Sequence, residues 1–122
     1  MEVELKNTCT KSDGICRHTQ IILFGDEGHI VLPLSIKGCA GELALTIASE
    51  HFEGKNKDLS AFGVDFNDYA NIRCTCRNGY YQVFVNQKLA YEGKPKGNVG
   101  RILGTRIIFQ GTGEIRRFDL RG

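Results

Sequence analysis

The chain has 122 residues, 41% of them hydrophobic and 25% charged, with 16 basic side chains against 14 acidic ones for a formal charge of +2. These values fit one globular domain spanning 1–122 with a sizeable core, and they exclude intrinsic disorder. Charge this evenly balanced gives no concentrated basic face for nucleic acid, and no apolar run approaches the roughly 20 residues that cross a bilayer as a helix.

The first ten residues, MEVELKNTCT, lack the apolar stretch of a signal peptide, and the chain is compatible with being a segment of a longer protein. Alternating strand-like runs follow at 3–6, 18–24, 29–35 and 42–49, then at 70–77, 80–86, 88–92, 101–110 and 115–120. Fifteen glycines and two prolines punctuate them, with Gly25-Asp26-Glu27-Gly28 and Gly111-Thr112-Gly113 reading as hairpin turns. No segment carries a sustained helical period. The expectation is an all-β, two-sheet antiparallel sandwich.

The five cysteines, Cys9, Cys16, Cys39, Cys74 and Cys76, cannot all pair internally. Lys11-Ser12-Asp13-Gly14 is turn-like and makes Cys9 and Cys16 a candidate disulfide, whereas Cys74 and Cys76 read as small buried hydrophobes. Zinc is weakly indicated, because Cys9, Cys16 and His18 lack a Cys-x-x-Cys spacing.

Residues 50–69 interrupt the strand rhythm and read as a long loop with a helical turn near 58–61, capped by Asp58. Within it Asp65, Asn67 and Asp68 set hard oxygen ligands close together, a candidate calcium site that also suits ordinary turn formation. No other cofactor is indicated.

The most informative stretch is NIRCTCRNGYYQVFVNQKLAYE at 71–92. Asn78-Gly79 favours a type I′ turn, which fixes a hairpin register with Arg77 opposite Tyr80, Cys76 opposite Tyr81 and Ile72 opposite Val85. Ile72, Cys74, Cys76, Tyr81, Val83 and Val85 then share a core face. The opposite face gathers Arg73, Thr75, Arg77, Tyr80, Gln82 and Phe84. A second turn at Asn86-Gln87 places Leu89 beside Phe84 and Tyr91 beside Gln82, so cover by another strand is the competing arrangement for this face.

The segments YQVFVNQKLAY at 81–91, IIFQGTGEI at 107–115 and the terminal FDL at 118–120 resemble concanavalin A-like lectin/glucanase jelly rolls, including laminin-G-like domains. PLSIKGC at 33–39 and GKNKDLSAFGVD at 54–65 are similar to segments of extracytoplasmic domains from Bacteroidetes membrane proteins. The resemblance implies a jelly roll and a location in the periplasm or at the cell surface; for the second group it carries no established activity.

A glucanase of this class would be expected to carry carboxylates in an E-x-D-x-x-E run, since retaining hydrolysis needs an acid and a nucleophile about 5 Å apart, and no such run is present. The function expected is therefore non-catalytic recognition, with carbohydrate as the ligand class that the resemblance implies. Arg73, Arg77, Tyr80, Gln82 and Phe84 supply rings for stacking and polar groups for sugar hydroxyls, although the chain has no tryptophan. The alternative is a structural or protein-interaction domain of a cell-envelope protein.

Overall fold

A computed structural model describes residues 1–10 and 15–120. Eleven strands are found among them: β1 (Glu2–Asn7), β2 (Thr19–Gly25), β3 (His29–Ile36), β4 (Ala44–Ile47), β5 (Glu50–Glu53), β6 (Gly63–Val64), β7 (Ala70–Arg77), β8 (Tyr80–Val85), β9 (Lys88–Gly93), β10 (Ile102–Phe109) and β11 (Gly113–Asp119). One sheet runs β11-β1-β7-β8-β9 and the other β10-β2-β3-β4-β5, with the short β6 added in parallel to β3. The two antiparallel sheets form a β-sandwich.

Period-2 alternation builds the core. Val3 and Leu5 of β1, Ile72 and Cys74 of β7, and Tyr81, Val83 and Val85 of β8 point inward from the first sheet. Ile21, Leu23, Ile30, Leu32, Leu34, Leu45 and Ile47 meet them from the second, while Leu59, Phe62, Val64 and Phe66 join the same core from the segment between β5 and β7. Pro33 has no N–H to donate, and it lies beyond the point at which β4 leaves β3, whose shared ladder ends at Val31 and Thr46.

The β7–β8 hairpin has the register the Asn78-Gly79 turn dictates, from Arg77 opposite Tyr80 through to Ile72 opposite Val85. Both turn residues have positive φ, 54° and 77°, as a type I′ turn requires. The next hairpin departs from the expected pairing. Leu89 does face Phe84, but a bulge leaves Ala90 unopposed and pairs Tyr91 with Val83 and Glu92 with Gln82. The extra residue turns Tyr91 inward, where it is buried and packs at 5.7 Å against Phe52 of β5. Tyr91 therefore does not cover Gln82.

Cys16 is bonded to Cys39, not to Cys9. Ile36 N–H donates to the Cys16 carbonyl at 3.0 Å and brings the segment before β2 alongside the turn after β3, whereas Cys9 is buried with its N–H held by Asn7 Oδ1. The turn expected at 11–14 lies outside the described residues. Cys76 is exposed rather than buried, and Cys74 alone of that pair enters the core.

Gly111-Thr112-Gly113 carries the chain from β10 in one sheet to β11 in the other, so it is a crossing and not a hairpin. The run at 42–49 divides into a 3₁₀ turn, Ala40–Glu42, and β4. The segment at 50–69 is more structured than a loop: it holds β5, a 3₁₀ turn at Ser60–Phe62 and β6, and Asp58 Oδ1 accepts the Ser60 N–H at 2.9 Å.

Candidate functional site

The outer face of the first sheet carries a shallow trough of about 770 Å³, bounded by Arg73, Arg77, Tyr80, Gln82, Phe84 and Lys94. Strands β7 and β8 place the first five because alternate residues of paired strands share a face; Lys94 enters from just past β9, over the Gly79 turn. Four of the five sequence-derived residues thus sit round a ring, Tyr80, that is 40% exposed. Among the described residues, no strand lies across it.

Electrostatics give the trough its character. The Arg73 guanidinium lies over the Phe84 ring at 4.6 Å from its centroid, which holds the arginine flat against the sheet. Glu2, opposite Arg73 in β1, is engaged by the Asn71 side-chain amide at 2.8 Å. Among the described residues, Arg73, Arg77 and Lys94 form no ion pair. The Tyr80 hydroxyl donates to Glu92, and that bond to a carboxylate raises the phenol above its ordinary value near 10. Tyr80 is therefore tethered at one end while its ring stays open.

Asp65 and Asp68 accept the N–H groups of Asn67 and Tyr69 at 2.9 and 2.7 Å, and both carboxylates, like Asn67, are exposed. Their local role is turn stabilisation. Among the described residues, the one compact group of three or more His, Cys, Asp or Glu ligands lies elsewhere, at Cys16, Cys39 and Glu42. Asp26 also braces a loop, accepting the Arg101 N–H at 2.9 Å.

A second cluster on the same sheet was not signalled by sequence. Tyr69 is approached by Lys6 at 4.9 Å and Arg116 at 4.2 Å from its ring centroid, and its hydroxyl donates to Glu114 at 2.9 Å, which raises its pKa. Arg116 donates in turn to Glu4 at 3.1 Å. Arg116 and Glu4 form an ion pair, in contrast to the cations of the trough. The residues come from two strands, β1 and β11, and the loop before β7, so only the folded pairing assembles them.

The outer side of the second sheet has a smaller cleft of about 220 Å³ lined by His18, Gln20, Pro33, Glu42, Ala44 and Ile108. His18 Nε2 lies 3.1 Å from Glu42 Oε2 at its rim. No protein-family model matches the chain, and neither does any curated protein or solved structure. The fold and this face define a β-sandwich with an open trough of aromatic, amide and uncompensated cationic groups.

Proposed function

We propose that the domain is a non-catalytic recognition module that binds carbohydrate in the trough on the outer face of β7 and β8. The observation that carries this reading is the open Tyr80 ring, set beside Gln82 and the unpaired cations Arg77 and Lys94. A ring that is rigidly tethered and uncovered can stack on the apolar face of a sugar, while amide and guanidinium groups take its hydroxyls. Three cations without carboxylate partners among the described residues favour an acidic sugar, a uronate or a sulfated unit, because a neutral ligand would leave them uncompensated. Among the described residues no pair of carboxylates lines the trough, and the neighbouring Glu92 is held by Tyr80, which supports binding without hydrolysis.

An extracytoplasmic location is part of the proposal. The Cys16–Cys39 disulfide supports it, since such bonds persist in oxidising compartments. A glycan array carrying neutral, uronate and sulfated oligosaccharides tests the reading. Retention of acidic members, weakened by salt, is expected; retention of none would remove carbohydrate as the ligand.

A second reading, a protein-contact domain of an envelope protein, draws on the other sheet. Phe24 and Ile108 are exposed there beside half-buried Ile22 and Val31, an apolar outer surface of the kind used for protein contact.

A further inference from the structure

Four metal-binding side chains converge where the segment before β2 meets the turn after β3. Cys16 and His18 come from the first as a C-x-H pair, and Cys39 and Glu42 from the second as C-x-x-E. Ligand atoms of Cys16, Cys39 and Glu42 all lie within 4.8 Å of one another; His18 stands outside that mutual distance and joins the group through Glu42, with its Nε2 3.1 Å from Glu42 Oε2. A disulfide by itself calls for neither an imidazole nor a carboxylate. We propose that, with the disulfide reduced, these four side chains form a tetrahedral zinc site.

The geometry fits that chemistry. Nitrogen and oxygen ligands about 2.0 to 2.1 Å from zinc stand about 3.3 Å apart at the tetrahedral angle, close to the His18–Glu42 separation. Two sulfurs at about 2.3 Å from zinc stand about 3.8 Å apart, a spacing that side-chain rotation reaches from Cα atoms 5.9 Å apart. The frame is already fixed by backbone bonds. Ile36 N–H donates to the Cys16 carbonyl at 3.0 Å, Glu42 N–H to the Cys39 carbonyl at 3.2 Å, and His18 N–H to Gln110 Oε1 at 3.1 Å. All four ligands are partly or fully exposed, so an ion has access.

The zinc form belongs to the reduced chain, the state before oxidation. With a trialkylphosphine as reductant, the phosphorus lone pair attacks one sulfur and breaks the S–S bond. Water then supplies the phosphine-oxide oxygen and the two protons that complete both thiols. Zinc binding releases those two protons and leaves two Zn–S bonds. Reoxidation by a small-molecule disulfide, which takes the two electrons and leaves as two thiolates while the Cys16–Cys39 bond re-forms, expels the ion, so metal and disulfide are mutually exclusive occupants of one locus.

The test uses Co²⁺ as a coloured substitute for zinc, on the full chain in a Cys76→Ser background that removes the exposed thiol. Phosphine-reduced protein should bind one equivalent with a thiolate-to-cobalt charge-transfer band and tetrahedral d–d bands, and zinc should bleach both. Oxidised protein should show neither. Cys39→Ser should abolish the bands, while His18→Ala and Glu42→Gln, which keep the disulfide and can be checked for folding when oxidised, should each weaken binding by at least about tenfold. If reduction loosens the domain, zinc should restore its strand circular dichroism. Absence of the bands in reduced protein, their survival in Cys39→Ser, full affinity in both His18→Ala and Glu42→Gln, or a reduced chain that zinc fails to order would each overturn the proposal.

Discussion

The Arg73 guanidinium rests over the Phe84 ring, 4.6 Å from its centroid, across the β7–β8 ladder that pairs these two residues. The contact keeps a cation on the sheet surface, without an acidic partner among the described residues, and shields part of the ring from water. A double-mutant cycle of Arg73→Ala and Phe84→Ala, followed by denaturant unfolding, should give a coupling of about 0.5 to 1 kcal/mol, the scale of an exposed cation–π pair. Additive single effects would show that the two only lie side by side.

Asn7 is the buried polar residue that ties the sheets together. Its side-chain amide donates to the Gln110 carbonyl at 3.1 Å and to Thr19 Oγ1 at 3.3 Å, while its Oδ1 accepts the Cys9 N–H at 2.9 Å. Asn7→Ala takes the acceptor away from the buried Cys9 N–H and removes the amide donor from the Gln110 carbonyl and Thr19 Oγ1. It should destabilise the domain by about 1 to 3 kcal/mol in urea unfolding, and Asn7→Asp should not rescue it, because a carboxylate cannot donate to the Gln110 carbonyl.

The free cysteines should differ in reactivity. Burial pushes the Cys74 thiol up to about 11, whereas Cys76 is exposed. Alkylation by iodoacetamide near pH 8, read by peptide mass spectrometry, should therefore modify Cys76 well before Cys74. The linkage has a definite sign. A thiol whose folded pKa lies above its ordinary value near 9 contributes stability that is fully present below pH 9 and is lost as pH rises through about 11. Unfolding free energy should fall across that window, and Cys74→Ala should remove that part of the fall.

The hairpin register was legible because Asn78-Gly79 is a turn with one strongly preferred geometry, and alternation then sorts every residue of β7 and β8 onto a face. The placement of Arg73, Arg77, Tyr80, Gln82 and Phe84 on one face followed from the same rule. What escaped was set by packing. Nothing in KLAYEG marks Ala90 as the bulged residue; the demand for Tyr91 against Phe52 does. Ala48 turns β4 into β5 at φ 54° without glycine or asparagine, so no turn signal stood there. Cys39 was not a visible partner for Cys16 because their proximity depends on the long-range bond between Ile36 and Cys16. Lys94 reached the trough from beyond a strand end, where alternation no longer says which way a side chain points.

The tether between Tyr80 and Glu92 makes a further statement about pH. The phenol is raised above its ordinary value near 10 first of all by its hydrogen bond to Glu92, so its contribution to stability is fully present below pH 10 and is lost as pH rises through the higher folded value. Ultraviolet difference titration of wild type against Tyr80→Phe isolates this phenol. Glu92→Gln should bring its titration back toward the ordinary value; no change would mean that the two side chains do not pair in solution.

Val83 anchors the core side of the same hairpin and is fully buried. Val83→Ala should cost about 1 to 3 kcal/mol in denaturant unfolding through lost burial and the cavity left behind, whereas Gln82→Ala, on the outer face, should cost less than about 0.5 kcal/mol. Equal losses at the two positions would contradict the assignment of faces.

The most direct test of the recognition proposal is isothermal titration of wild type and Tyr80→Ala with an acidic oligosaccharide retained on the glycan array. Folding of the variant is checked by circular dichroism, and replacement should weaken binding by about 1 to 3 kcal/mol, the scale of a lost contact anchor, with Arg77→Ala weakening it further as salt is lowered. Unchanged affinity in folded Tyr80→Ala would contradict the account and move the binding site off the face of β7 and β8.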